Sequence, residues 1–274
     1  MIEVKEGFMP RKEKVYPLSK KKREEVREFI REQLRKGYIW PSKPPQIVPV
    51  FYVGKKDGKK RMVQDYRYLN EWTIKNNYPL SLISDVLENI GTKKVFIKMD
   101  LRWGYNNVRF KEGDKWKTVF TTPEGSFELM VMFFGLTNSL AIFQAIMNEL
   151  LRDLINIGKV AAFIDDVIIG MEMEEGHEEI VAEVIRRLEE NNLYVKLEKY
   201  KWKVQEVGFL GVVIGLKGIK MEKEKVEDVL DWPTPKCVKD MQKFLGLVNY
   251  YHQFIEGFAS IARPLHNMVK KDQK

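Results

Sequence analysis

Two adjacent carboxylates interrupt an apolar stretch in the middle of this chain. The segment AAFIDDVIIG, residues 161–170, places Asp165 and Asp166 between two runs of apolar and β-branched residues. Two such runs on either side of a short polar step predict a β-hairpin. Asn-Gly or Asp-Gly would suit a tight hairpin turn better, whereas two aspartates repel each other. The pair is therefore a candidate for cation binding, and an ordinary hairpin with a solvated turn is the alternative.

A third carboxylate ends another apolar strand, earlier in the chain. The segment VFIKMD, residues 95–100, ends on Asp100 and is predicted to run into a turn at residues 101–104. Oxygen ligands without a neighbouring His or Cys suit magnesium rather than zinc. Three carboxylates that converge could hold two divalent ions about 3.5–4 Å apart, one at the attacking oxygen and one at the leaving oxygen. We therefore predict phosphoryl transfer, in which a 3′-hydroxyl attacks and pyrophosphate leaves.

The composition is that of a basic globular protein. The chain has 274 residues, of which 44% are hydrophobic, enough for a sizeable core or for two to three subdomains. Its net charge of +8 favours a polyanionic partner, although many basic soluble proteins share this balance. The single Cys237 excludes an intramolecular disulfide and a Cys-based zinc site. No signal peptide or apolar run of about 18 residues is found, so we expect an intracellular protein that does not span a membrane.

Periodicity and turn residues predict the elements that would position the carboxylates. Helices are predicted at residues 19–36, 81–89, 138–157, 175–191, 222–231 and 238–254. Strands are predicted at residues 47–53, 61–63, 95–100, 127–132, 194–197 and 207–214, and a further hairpin around residues 112–114. The pattern is helical after residue 217, so we predict a boundary there between an α+β body and a small helical module.

Seven segments of this chain resemble, in the same order, the reverse transcriptase domain of gypsy-type LTR retrotransposons, which are related to the retroviral enzymes. They read GKKDGKKRMVQDYRYLN (54–70), IKNNYPL (74–80), KMDLRWGYNNV (98–108), KTVFTTPEGSFELMVMFFGLTNSLAIFQ (117–144), FIDDVIIG (163–170), FLGVVI (209–214) and FLGLVNYYHQFI (244–255). The resemblance implies an α+β right-hand polymerase fold. It implies fingers at 1–75 and 108–138, a palm at 76–107 and 139–216, and a thumb at 217–274, with no ribonuclease H or integrase domain.

The resemblance also implies roles for individual residues. Asp100, Asp165 and Asp166 match catalytic, metal-binding carboxylates, and the Leu101 carbonyl matches a further metal ligand. The implied cofactor is two Mg²⁺ ions, for which Mn²⁺ can substitute. The residues that match contacts to the incoming nucleotide are Lys55, Arg61, Trp103, Gly104, Tyr105 and Phe134. The residues that match contacts to template and primer are Asp65, Arg67, Phe163, Phe209, Leu210, Gly211, Gln242, Gly246 and Tyr250.

Physical chemistry supports the predicted roles in the fingers. The planar guanidinium of Arg61 can bind a phosphate through two hydrogen bonds, and Lys55 beside it acts as a point charge. Asp65 and Arg67 form a predicted charge pair that steadies the fingers and touches the template. A plain structural salt bridge is an equally good interpretation of that pair.

Two further predictions concern shape. Tyr105 matches an aromatic ring that lies under the sugar and excludes a 2′-hydroxyl, and a packing role in the core is the alternative. Gln242, Gly246 and Tyr250 are spaced i, i+4 and i+8, so they share one face of a helix. They match thumb residues along the minor groove of the duplex. A glycine within a helix costs about 1 kcal/mol relative to alanine, which favours a specific reason for Gly246.

The chain departs from the family pattern at a few positions, and three functions are compatible with it. The departures are Gln64, Trp103, Phe133, Leu140 and Phe163.

The leading hypothesis is an RNA- and DNA-directed DNA polymerase that extends a primer 3′-end. A catalytically silent module that binds nucleic acid or protein is the alternative, and a bare α+β scaffold with a basic surface is a third.

The resemblance finally implies partners and a location. The partners are an RNA template, a DNA primer or RNA–DNA duplex, and deoxynucleoside triphosphates, with ribonuclease H and integrase in the parent polyprotein and no membrane. The implied location is the cytoplasm, in virus-like particles of the parent element.

Overall fold

The fold was analysed in a computed structural model. It describes residues 1–43, 45–54, 60–79, 83–102, 104–173, 175–196 and 201–270, without the side chains of Lys60, Arg61 and Lys201. The helices are α1 Lys20–Arg35, α2 Arg67–Trp72, α3 Ile83–Gly91, α4 Ser139–Leu150, α5 Arg152–Asn156, α6 His177–Glu190, α7 Lys223–Leu230, α8 Val238–Tyr250 and α9 Phe258–Met268. The strands are β1 Ile39–Pro41, β2 Val48–Gly54, β3 Lys60–Gln64, β4 Val95–Arg102, β5 Phe120–Thr122, β6 Gly125–Leu129, β7 Val160–Phe163, β8 Asp166–Met171, β9 Tyr194–Val195, β10 Lys201–Val204, β11 Glu206–Phe209, β12 Val212–Gly215 and β13 Gly218–Met221. The predicted α+β class is therefore confirmed.

The first sheet belongs to the N-terminal half of the chain. Its strand order is β1-β6-β5-β2-β3, and α1 buries Val26 and Ile30 in the core beside it. The hairpin predicted around residues 112–114 is wrong, because residues 115–118 form a 3₁₀ turn and Arg109 pairs with Val131 instead. Asp114 explains the difference. Its buried carboxylate accepts hydrogen bonds from the Ile2 backbone N–H at 2.9 Å and from Lys117 at 2.6 Å, so it cannot serve as a solvated turn.

The second sheet is central and carries the strand that ends near Asp100. Its strand order is β10-β4-β8-β7, with β9 paired to the end of β4. Helices α4, α5 and α6 bury their apolar residues in one core with β4, β7 and β8. The helix predicted at residues 138–157 is two helices, because Leu151 leaves helical geometry with φ −112° and ψ 15°. The Leu151 side chain is fully buried where the two helices meet.

The third sheet joins the central sheet to the C-terminal helices. The strand predicted at residues 207–214 is a hairpin of β11 and β12, and β13 continues the sheet to Met221, past the boundary predicted near residue 217. Helices α7, α8 and α9 then build a small core around Leu245, Val248 and Ala262. The helix predicted at residues 238–254 ends at Tyr250, before a 3₁₀ turn. None of the described helices is long and apolar enough to cross a membrane.

Candidate active site

The pairing of two central strands brings two of the predicted carboxylates together. Strands β4 and β8 are antiparallel, and their register places Asp100 opposite Asp166. Residues directly opposite each other on antiparallel strands have neighbouring side chains. Asp100 and Asp166 are close enough to share a hydrogen bond. Two acids that are far apart in sequence therefore meet because of strand register alone.

The third carboxylate lies in the turn of the β7–β8 hairpin. The register pairs Phe163 with Asp166, so the two turn residues are Ile164 and Asp165 rather than the predicted Asp165 and Asp166. Ile164 has φ 56°, a conformation that a β-branched side chain rarely adopts. The Leu101 N–H donates a hydrogen bond to the Asp165 carbonyl at 2.8 Å, which attaches this turn to the end of β4.

A buried glutamine on α4 holds the same turn, and the sequence analysis did not identify it. The Gln144 Oε1 accepts a hydrogen bond from the Ile164 N–H at 2.7 Å, and its Nε2 donates to the Ala162 carbonyl at 2.9 Å. The same amide nitrogen donates to Asn148 at 2.8 Å, and Asn148 donates to the Tyr78 hydroxyl at 2.9 Å. A polar residue within the apolar stripe of α4 was the signal that could have revealed this role.

The carboxylates are held in an environment that penalises their charge. Burial, together with the charges of Asp166 and Asp100, raises the pKa of Asp165 to about 6, and Lys196 partly opposes this. Burial and the hydrogen bond with Asp100 raise the pKa of Asp166, and Lys98 opposes that shift. Asp165 Oδ1 is also buried without a hydrogen-bond partner. Buried acids in this state are stabilised by a cation.

Two lysines next to the carboxylates were also missed by the sequence analysis. Lys98 Nζ lies 3.3 Å from Asp166 Oδ1 and 4.0 Å from Asp100 Oδ1. The position of Lys98 could have been predicted from the sequence. It lies two residues before Asp100 in an otherwise apolar strand, so both side chains project from the same face. Lys196 lies next to the site because its backbone N–H donates a hydrogen bond to the Asp100 carbonyl, at 2.9 Å. Nothing local in the sequence indicates that contact.

The donor set fits a hard divalent cation. The groups present are carboxylate oxygens, one of them buried without a hydrogen-bond partner, and such oxygens are the ligands that Mg²⁺ prefers. Within the described ranges, however, no three Asp, Glu, His or Cys side chains form a ready-made ion cage. Lys98 lies against Asp166 and Asp100 instead. The Leu101 carbonyl stays a predicted ligand.

Gly104 and Tyr105 pack directly behind the carboxylates. A Cβ atom at Gly104 would lie 2.6 Å from Phe143 and 2.9 Å from Asp165 Oδ1, so only glycine fits without movement of its neighbours. Tyr105 is 2% exposed, and its ring centroid lies 4.7 Å from that of Phe134 and 4.9 Å from that of Phe143. Phe134 is 53% exposed. Of these two contacting rings, the accessible one is therefore Phe134.

The predicted contacts in the N-terminal sheet are only partly visible. Lys55 and Trp103 lie outside the described residues, and Arg61 lies on β3 with its side chain outside them. Asp65 is buried and binds the exposed Arg67 guanidinium through two hydrogen bonds, of 2.8 Å and 2.6 Å. This hydrogen-bonded pair holds the pKa of the Asp65 carboxyl below its usual value. The charge pair is present, and Arg67 is its solvent-facing member.

The β11–β12 hairpin lies beside the carboxylates, and its turn contacts helix α8. Phe209 is fully buried, so its ring packs in the core and only its backbone can face a ligand. Leu210 and Gly211 form the turn, with φ 53° and 80°. The Tyr250 hydroxyl donates a hydrogen bond to the Leu210 carbonyl at 2.8 Å. Phe163, half-buried, packs against the same core.

The predicted helix face on α8 is present. Gln242, Gly246 and Tyr250 are all exposed, and the space beside Gly246 is open. Tyr250 differs from the other two, because its hydroxyl binds Leu210. The open part of this face therefore lies around Gln242 and Gly246.

Comparison with known proteins gives a consistent result. The reverse transcriptase (RNA-dependent DNA polymerase) family matches residues 53–214. The chain is 38% identical over 263 residues to the Pol polyprotein from transposon opus of Drosophila melanogaster, a match that covers 94% of this chain and 26% of the relative. It is 36% identical to the Tf2-3 transposon polyprotein of Schizosaccharomyces pombe, covering 94% of this chain and 19% of that relative. The chain thus spans about a quarter or less of these relatives.

Solved structures agree with the sequence comparison. The foamy viral protease–reverse transcriptase in complex with an RNA/DNA hybrid superposes with a TM-score of 0.84 at 26% identity, covering 98% of this chain and 36% of that one. A form of the same enzyme in complex with double-stranded DNA gives a TM-score of 0.88, covering 97% and 46%. The expected right-hand polymerase fold is therefore confirmed. The chain belongs to the reverse transcriptase family of nucleotidyltransferases, among the LTR retrotransposon members.

Proposed function

We propose that this chain extends a primer 3′-end with deoxynucleotides on an RNA or DNA template, by a two-metal mechanism that uses Mg²⁺. The observation that carries the proposal is the register of β4 and β8, which pairs Asp100 with Asp166 beside the Asp165 turn. Nothing in the packing of this region needs three acids at one point, and the raised pKa values of Asp165 and Asp166 show that burying these two costs stability. A site that binds cations explains why they are there.

Each residue of the site has a defined task in this proposal. The oxygens of Asp100, Asp165 and Asp166 hold the divalent ions, and Gln144 fixes the turn that presents Asp165. When bound, the two ions activate the primer 3′-hydroxyl and stabilise the leaving pyrophosphate. Gly104 lets the chain pass directly behind Asp165.

The division into fingers, palm and thumb remains a proposal, and the cores support it. One core joins α1 to the first sheet, a second joins α4 and α6 to the central sheet, and a third lies among the C-terminal helices. A fourth core packs β11 and β12 against α3 and includes Tyr251 of the C-terminal region. That core would connect the palm and the thumb.

We place the nucleic acid between the Arg67 side of the fingers and the exposed α8 face. The open surface around Gln242 and Gly246 suits the backbone or groove of a duplex, since a glycine without a side chain allows close approach and cannot read a base. The net charge of +8 favours such a partner. The two foamy viral structures contain an RNA/DNA hybrid and double-stranded DNA.

The incoming triphosphate is proposed to meet Lys55 and Arg61, with the Phe134 ring beside the sugar. Phe134 is exposed and its ring centroid lies 4.7 Å from that of Tyr105, so it can stack on a ligand or exclude one by shape. Tyr105 then supports that ring from below. This arrangement differs from the expected one, in which the Tyr105 ring itself lies under the sugar.

The context of the chain is also a proposal. Its relatives are polyproteins of which it spans a fraction, so ribonuclease H and integrase domains are proposed partners in a parent polyprotein. We likewise propose the cytoplasm, within virus-like particles of the parent element, as its location.

The experiment is primer extension on RNA and DNA templates with Mg²⁺, and with Mn²⁺ as a second ion. We expect extension that a chelator stops. Tight duplex binding without extension in either metal would contradict the proposal and favour the catalytically silent module. Duplex affinity measured between low and moderate salt distinguishes the polymerase and the silent nucleic-acid-binding module from a bare scaffold. Binding through phosphate-backbone contacts weakens steeply with salt.

A further inference from the structure

A lysine lies inside the carboxylate cluster, on the strand that carries Asp100. Lys98 and Asp100 are two residues apart on β4, so their side chains project from the same face of the sheet. The Lys98 ammonium lies 3.3 Å from Oδ1 of Asp166 and 4.0 Å from Oδ1 of Asp100. A cation that belongs to the chain therefore lies against the oxygens that a metal ion would need.

Partial burial makes this contact stronger than a surface ion pair. The side chains of Lys98, Asp100 and Asp166 are 19%, 15% and 32% exposed. Charges with little solvent between them are screened less by water and salt than exposed ones. The carboxylates are also not gathered into an ion cage anywhere in the described ranges. Of these carboxylates, Asp166 contacts the Lys98 ammonium most closely, and Asp100 lies slightly farther away.

An aromatic ring is a second neighbour of the Lys98 ammonium. The Lys98 ammonium lies 5.9 Å from the centroid of the Phe209 ring, within the range of a cation–π interaction. Phe209 ends strand β11, next to the turn of the β11–β12 hairpin. An ammonium that is displaced from Asp166 therefore keeps a favourable neighbour and need not enter solvent completely.

We propose that Lys98 is an internal counter-cation that competes with divalent metal ions for Asp166 and Asp100. This inference rests on the proposed function of the carboxylates. Two cations that compete for the same oxygens lower each other's affinity, so Lys98 raises the metal concentration at which the site fills. Lys98 acts through Asp166 and is a positioning residue.

The test is to titrate the intact chain with Mn²⁺ in the absence of nucleic acid. Binding is measured by electron paramagnetic resonance, as the loss of the signal of free Mn²⁺. Lys98→Met removes the ammonium and keeps the length of the stem. We expect its dissociation constant for Mn²⁺ to fall roughly tenfold, as is typical of linked binding equilibria. Lys98→Arg keeps the charge and is expected to bind Mn²⁺ nearly as the original chain does.

The matched control is Lys94→Met, which removes the same charge from an exposed residue just before β4. Its Mn²⁺ affinity is expected to stay unchanged, which shows that net charge alone is not responsible. Unchanged or weaker Mn²⁺ binding by folded Lys98→Met would overturn the inference, and weaker binding would mean that Lys98 supports the ligands. Lys98→Gln, with the same expectation, replaces Lys98→Met if circular dichroism shows that the latter is unfolded.

One more variant separates this inference from the proposed function. Asp165→Asn is expected to weaken Mn²⁺ binding, because it removes a ligand. If Mn²⁺ binding depends on Asp165 and not on Lys98, only the role of Lys98 is wrong. If Mn²⁺ binding does not depend on Asp165, the proposed metal site and the role of Lys98 both fail.

Discussion

Two β-hairpin turns in this molecule share a rare backbone conformation, and they are held in opposite ways. Ile164 in the β7–β8 turn has φ 56°, and Leu210 in the β11–β12 turn has φ 53°. The first turn is bound by Gln144 and by Leu101, both from its own core. The second is bound by the Tyr250 hydroxyl from helix α8 and by the Glu222 N–H, which donates to the Gly211 carbonyl at 3.3 Å.

The difference separates a turn that is fixed from one that can move with a neighbour. Non-glycine residues with positive φ are costly and persist only where their surroundings hold them. The β7–β8 turn carries Asp165 of the proposed metal site, and its support comes from its own core. The β11–β12 turn takes its support from the C-terminal helices, so any motion of those helices would reach it. Four predictions test this comparison.

Asp165→Asn is expected to have the largest effect, because it removes a carboxylate of the proposed metal site. We expect primer extension to fall to background, while duplex binding and the fold are retained. The measurement is single-turnover extension beside a duplex-binding titration. Asp85→Asn, at an exposed acid on α3, is the control and should extend normally. Normal extension by Asp165→Asn would remove this turn from the active site.

Gln144→Met is expected to have the second largest effect. It removes the hydrogen bonds that support the β7–β8 turn and replaces the glutamine with a side chain of similar volume. It leaves the Ile164 N–H and the Ala162 carbonyl without partners, which costs roughly 1–3 kcal/mol of unfolding free energy. Turnover should fall while duplex affinity stays constant. Urea denaturation and extension kinetics measure the two effects. A loss of stability with unchanged turnover would mean that the Gln144 hydrogen bonds do not position Asp165.

The dependence of stability on pH is expected to distinguish the two turns with the third largest effect, because only the first turn carries a partly buried acid. The Asp165 pKa of about 6 exceeds that of an unfolded Asp, so the folded chain keeps a proton that the unfolded chain releases. Stability is therefore fully present below about pH 4 and falls as the pH rises to about 6. Relative to Asp165→Asn, we expect a loss of roughly 1–2 kcal/mol, reduced by partial exposure.

That loss is measured by urea denaturation with a chelator present, between acid and neutral pH. The difference between the original chain and Asp165→Asn isolates the Asp165 contribution from other acids. A difference that stays constant with pH would show that this carboxyl titrates normally. Tyr250→Phe, which changes the second turn, should show the same pH profile as the original chain.

Tyr250→Phe is expected to have the smallest effect. It removes one hydroxyl that binds the Leu210 carbonyl on a partly exposed turn, a loss of about 1 kcal/mol or less. We expect a modestly faster dissociation of primer–template, with unchanged nucleotide kinetics in a bound complex. Fluorescence measurements of duplex dissociation test this. An effect on turnover as large as that of Gln144→Met would show that the second turn also positions the chemistry.

Local sequence patterns predicted the parts of the fold that depend on neighbours in sequence. The strand that ends on Asp100, the apolar stripe of α4 and the shared face of Gln242 and Gly246 all follow from periodicity. The turn was misplaced by one residue, because two acids looked like a turn and Ile164 did not. Strand register decided otherwise.

The parts that were missed depend on contacts between distant segments. Lys196 reaches the site by pairing with β4, and Asp114 is buried by the N-terminal residue Ile2, neither of which leaves a local pattern. The nucleotide contact of Tyr105 stays a prediction, and only its burial, with the Phe134 ring 4.7 Å away, was not foreseen, because a motif position does not tell how deep a side chain lies. Burial is a property of the whole fold.

The tight packing around Gly104 has a consequence for sequence evolution. An added methyl group there would meet the Phe143 ring at 2.6 Å before it met Asp165 Oδ1 at 2.9 Å. The two positions therefore cannot drift independently. Alanine at position 104 requires both a smaller residue at position 143, such as leucine, and a shift of the Asp165 carboxylate. Among related sequences and in selected libraries, residues 104 and 143 are expected to covary in size. Where one of the two is larger, the other is expected to be smaller.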